Sequence, residues 1–130
     1  MIKVDQTTFG EGKGNCFPAC FATITGHPLE TIPNFCELYA GPDWYAHFIR
    51  WCRPLGLAPW TVTLEGEIPK FIGEQFADIP WIACGHTPRG LHCCVYIGRN
   101  LYHDPNPCRE GLQDVIDGTF FLSTQLQLKV

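Results

Sequence analysis

The chain has 130 residues and a formal charge of −4; 45% of it is hydrophobic and 17% charged. That length buries a core without staples and that composition is too apolar for disorder, so a single domain over residues 1–130 is predicted. Lys and Arg are scattered with no basic stripe, and no apolar run nears the roughly 20 residues of a spanning helix, which argues against nucleic acid and membrane as partners.

In chain order, residues 1–14 read as an extended entry followed by a glycine-rich loop, "FGEGKGN". They lack the apolar stretch of a secretion signal, so a cytoplasmic setting is expected. Residues 15–25 read as a helix, with Asn15 as its N-cap and Gly26 and Pro28 as its stop. "HPLETIPNF" reads as a connector with a single helical turn. "PDWYAHFIRWCRPLG" places Trp44, Phe48, Trp51 and Leu55 at helical spacing, with Pro42 at its start and Pro54–Gly56 at its end. The period then falls toward two. "APWTVTL" and "PWIACGH" read as strands, with a short helix or irregular turn, "IPKFIGEQFA", between them. "LHCCVYIGRNLYHD" reads as a β-hairpin, "PNPCREGLQDV" as a loop and "GTFFLST" as a closing strand. Helices first and strands afterwards define an α+β class with a mainly antiparallel sheet.

The eight cysteines would suggest disulfides in a secreted chain. In a reducing cytoplasm they suggest free thiols, a metal site or a nucleophile. No CxxC, HxxxH or HExxH is present, and Cys93 and Cys94 are neighbours that point to opposite faces of a strand, so neither a metal nor a cofactor is expected. Most of the cysteines suit a core. Cys16 differs because it begins the first helix, where the dipole and free N–H groups favour a thiolate. Cys20, one turn deeper, lacks that field and reads as core.

A nucleophilic thiolate needs a base, an orienting group and oxyanion donors. Of the five histidines, His27 reads as surface and His47 as part of the aromatic helix; His86, His92 and His103 remain. The hairpin offers a geometric argument. A three-residue loop, Ile97–Arg99, pairs Tyr96 with Asn100, Cys94 with Tyr102 and His92 with Asp104, on one face. Leu91, Cys93, Val95, Leu101 and His103 then take the other face. A two-residue loop sets His92 opposite Pro105 and turns Asp104 away. Gly98 favours the odd loop or a bulge.

A cysteine at the start of an early helix, then a histidine on a strand, then an aspartate on the next strand, resembles the papain-like cysteine peptidases. The chain looks most like their bacteriocin-processing-peptidase-like (C39-like) branch, in which a Gln precedes an Asp-Cys or Asn-Cys pair and a later strand ends in Asp-Pro. The matching residues are Gln6, "NC" at 15–16, His92 and "DP" at 104–105. The chain also resembles small papain-like proteins of bacteria and their phages. The resemblance implies N-terminal helices packed on the sheet and a cysteine-dependent hydrolase of amide bonds in a peptide or protein. Cys16 would be the nucleophile, His92 the base and then acid, and Asp104 the orienting group. The Cys16 N–H and Gln6 would receive the oxyanion, with Asn106 in reserve as the orienting residue. It implies a bacterial or phage-infected cytoplasm. The same residues could serve deamidation or transglutamination, or a catalytically silent scaffold could bind a host protein through its tryptophans. "GEGKGNC" before a helix suggests a phosphate cradle, but it matches neither GxxxxGK[ST] nor GxGxxG.

Overall fold

The computed structural model describes residues 1–124. Helix α1 (Cys16–Thr25) ends at Gly26, whose left-handed φ of 79° lets its N–H close on the Ala22 carbonyl. A 3₁₀ turn (Leu29–Thr31) and the short α2 (Phe35–Leu38) lead into α3 (Trp44–Cys52). The connector thus holds one more helical turn than its sequence suggests. Strand β1 (Leu57–Gly66) precedes α4 (Lys70–Gln75), β2 (Pro80–Thr87), β3 (Gly90–Ile97), β4 (Asn100–His103) and β5 (Val115–Ser123). The strands form one antiparallel sheet in the order β1-β5-β2-β3-β4. The α+β class with an antiparallel sheet is therefore what the chain adopts.

Each face of the sheet has its own apolar cluster. On one, Phe17, Cys20 and Phe21 of α1 and Phe48 of α3 meet Ile82, Cys93 and Val95. Phe48 is fully buried and meets Phe17, Phe21 and Phe35 edge-on, with centroids 5.0–5.7 Å away. Burying such a ring contributes about 1.5–3 kcal/mol. On the other face, Leu64, Ile72, Trp81, Ala83, Val115 and Phe120 pack together, with Trp81 stacked on Phe120 at 5.2 Å. That stack needs Gly118, because a Cβ there would lie 2.5 Å from the Trp81 ring. Strand β3 lies between central β2 and edge strand β4, and four of its consecutive residues, His92–Val95, are buried.

The hairpin corrects the expected register. Ile97 pairs with Asn100 across a two-residue loop, not a three-residue one, and Tyr96 pairs with Leu101. Gly98 takes a φ of 58° while Arg99 does not go positive, which is the pattern of a type II′ turn. The next pair is Val95 with His103, so Tyr102 has no counterpart and forms a bulge. The extra residue resets the alternation, and Asp104 returns to the side of His92. The turn's backbone preference and the carboxylate's placement are thus both met, by two irregularities rather than one.

Candidate active site

Three segments converge: the start of α1, the first half of β3 and the end of β4. Asn15 occupies the cap position of α1, but its side chain makes no cap hydrogen bond, contrary to the sequence expectation. Its Oδ1 accepts from the Thr7 and Thr8 N–H groups at 2.8 and 3.0 Å, and its Nδ2 donates to Thr7 Oγ1. The side chain therefore folds the glycine loop back on itself. This closure brings Gln6, ten positions before Cys16, against the end of the loop at Gly14. The Gln6 N–H donates to the Pro105 carbonyl at 3.0 Å, and its Nε2 donates to the Thr8 carbonyl at 3.0 Å. Nε2 lies 3.7 Å from where a Gly14 Cβ would stand. Gln6 is buried and its Oε1 has no partner. The loop it abuts leads directly into Cys16.

Cys16 is half-buried, with its thiol in hydrogen-bond reach of the Cys93 thiol, the Cys93 N–H and the His92 ring. His92 Nε2 donates to Asp104 Oδ1 at 2.7 Å, which leaves Nδ1 for the sulfur. Asp104 Oδ1 also accepts from the Asn106 N–H at 2.9 Å, and Oδ2 accepts from the Gly111 N–H at 2.8 Å. Asn106 does not orient the histidine: its own Oδ1 accepts from the Cys108 N–H and closes a turn. His103 faces away from His92, toward Asp5 and the Val4 carbonyl.

The electrostatics follow from these contacts. The Cys93 thiol donating to the Cys16 sulfur, with His92 behind it, outweighs burial and holds the Cys16 pKa well below the usual thiol range. Burial disfavours a charged His92, but its bonds with Cys16 and Asp104 prevail and raise its pKa. Burial likewise opposes ionised Asp104, yet His92 and the Gly111 and Asn106 N–H groups lower its pKa. A thiolate facing an imidazolium is the state these shifts favour. Elsewhere burial dominates: it raises the Cys20 thiol strongly, Cys36 to about 11 and Cys52 to about 12. Cys16 thus differs from Cys20 through its partners Cys93 and His92 and the deeper burial of Cys20, rather than through the helix-terminus field expected from the sequence.

Cys94 completes a group of three donors with His92 and Asp104, all within 4.8 Å. Both Asp104 oxygens are already taken by N–H donors, so this group works as a hydrogen-bonded unit. Two open hollows, about 410 and 420 Å³, lie behind Asp104 and beside the N-terminus, and neither is lined by Cys16. Sequence reasoning missed Cys93, Gly111 and Arg109. Arg109, at φ 56°, donates to the Asp104 carbonyl and pairs with Asp5, tying the loop after the aspartate to the N-terminal segment. The hydrophobic patterning carries no signal for such loop contacts.

The chain matches no protein-family model, no curated protein and no solved structure.

Proposed function

We propose that the protein is a papain-like cysteine hydrolase that cleaves an amide bond in a peptide or protein. The observation that carries this reading is the Cys16–His92–Asp104 chain of contacts, with the half-buried sulfur at the first residue of a helix. The Cys16 thiolate attacks the carbonyl carbon, and the carbonyl electrons move to oxygen. The Cys16 N–H and the second hydrogen of Gln6 Nε2 receive that oxyanion. His92 Nδ1 gives its proton to the leaving amine, then takes one from the water that opens the thioester. Asp104 keeps the imidazole in the tautomer and orientation that both steps need.

Alkylation at about pH 6, more than two units below an ordinary thiol's pKa, tests the reading, because only a stabilised thiolate reacts quickly there. Cys16 is expected to take up iodoacetamide first and Cys16→Ala to lose turnover of peptide substrates. Labelling of Cys93, Cys94 or Cys108 with Cys16 silent overturns the assignment. A Cys16→Ala variant that keeps the protein's biological effect would instead identify a binding scaffold.

A further inference from the structure

The Cys16 thiol is the end of a row. Cys93 of β3 and Cys84 of β2 are directly opposed across the antiparallel pair, with sulfurs 2.6 Å apart, and both are free thiols. Cys84 is in turn directly opposite Asp117 of β5, which puts the two side chains on one face of the sheet. Sulfur, sulfur, sulfur and carboxylate thus run across three strands from the helix end. Packing alone would suit three small apolar side chains, but it gives no reason for a half-buried carboxylate at the far end.

We propose that Cys16, Cys93 and Cys84 form a site of reversible thiol oxidation that returns the nucleophile to its thiolate after attack by a hydroperoxide. The proposal rests on the reading of Cys16 as a stabilised thiolate. In the first step Cys16 sulfur attacks the terminal oxygen of ROOH. An S–O bond forms, the O–O bond breaks, and the alkoxide leaves as ROH with the proton of His92. The sulfur is oxidised by two electrons to a sulfenic acid and the peroxide is reduced. Cys93 then loses its proton and attacks the Cys16 sulfur, forming the S–S bond and expelling hydroxide, which leaves with that proton as water. Cys84 next gives its proton to Asp117 and attacks the Cys93 sulfur. The Cys84–Cys93 bond forms, the Cys16–Cys93 bond breaks, and Cys16 departs as thiolate. Exchange runs in this direction because the more acidic thiol is the better leaving group. Directly opposed residues of antiparallel strands have Cα atoms about 4.5–5.5 Å apart, within the span a disulfide bridges.

The test treats the reduced full chain with one equivalent of hydrogen peroxide, alkylates it, and maps tryptic peptides; Cys16, Cys84 and Cys93 fall in different ones. In wild type the expected product links Cys84 to Cys93, located against Cys94 by fragmentation, with Cys16 still alkylated. In Cys84→Ser the link is Cys16–Cys93, and Cys16 labelling disappears until dithiothreitol restores it. In Cys93→Ser, Cys16 stops at the sulfenic acid, and a second equivalent of peroxide carries it to a sulfinic acid that dithiothreitol does not reverse. Wild type ending with sulfenic or sulfinic Cys16 and no disulfide, or Cys84→Ser showing no Cys16–Cys93 link, overturns the relay. Should Cys93→Ser fail to fold, the wild type and Cys84→Ser decide the matter. Labelling before oxidation separates the two readings: an unreactive Cys16 sinks the hydrolase, while a reactive Cys16 without disulfides sinks only the relay.

Discussion

Two of the protein's histidine–aspartate pairs have their histidines on the neighbouring strands β2 and β3. His86 Nδ1 lies 2.9 Å from Asp114 Oδ2, and His92 Nε2 lies 2.7 Å from Asp104 Oδ1. By distance they are near equals. The side chains of the first pair are 53% and 37% exposed, those of the second 8% and 1%. Water screens the first pair, so its charges report only on each other. The second pair is shut off from water and touches a thiol, so each proton on it changes what its neighbours can do. A sequence motif cannot separate the two, since each joins a strand histidine to an aspartate one residue outside a strand. Burial and the third partner make the difference.

Substitutions sharpen that contrast, beginning where the effect is greatest. Cys16→Ala should reduce kcat by about a million-fold, the scale for removing a nucleophile, as measured in a peptide-hydrolysis assay. Asp104→Asn should reduce it by about ten-thousand-fold, because the amide can hold the wrong tautomer of His92. Unchanged turnover in that variant would make the buried pair no more catalytic than the exposed one. Gln6→Ala should lower kcat by about 10²–10³-fold with KM little altered, read from initial rates over a range of substrate concentration. In a pH series, the thiolate is populated above the lowered Cys16 pKa, and the imidazolium survives until pH passes the raised His92 pKa. Cys16 alkylation should therefore already be fast well below pH 8.5, about the ordinary thiol value, while turnover falls as pH rises through the His92 value. Stability follows the same signs. The Asp104 contribution is present above the ordinary carboxylate range and is lost as pH falls through its lowered value; the His92 contribution is lost as pH rises through its raised one. The smallest effect belongs to Asp114→Asn, which should leave turnover unchanged and shift the melting temperature only slightly.

Much of this was legible from the residues. The first helix stands over Cys16–Thr25 because an apolar run meets Gly26, and every strand anticipated after residue 56 is present. His92 and Asp104 do meet. Their meeting depends, however, on a bulge at Tyr102, which leaves no mark in an alternation of apolar and polar residues. Asn15 reads as a cap because cap and loop-closing roles call for the same short amide. The line from Cys93 through Cys84 to Asp117 could not be seen beforehand. It depends on β2 lying between β3 and β5, and strand order is not written in local spacing.

The unmatched Tyr102 has a consequence for how this ribbon tolerates change. It separates the length of the turn at Gly98 from the side on which the carboxylate emerges. Were Tyr102 instead to pair with Val95, the turn would stay intact but His103 would fall opposite Cys94 and Asp104 opposite Cys93, sending the carboxylate to the far side of the sheet and bringing His103 inward. A histidine would then stand where the acid now meets His92, and the protein would keep its architecture while losing the His92–Asp104 pair.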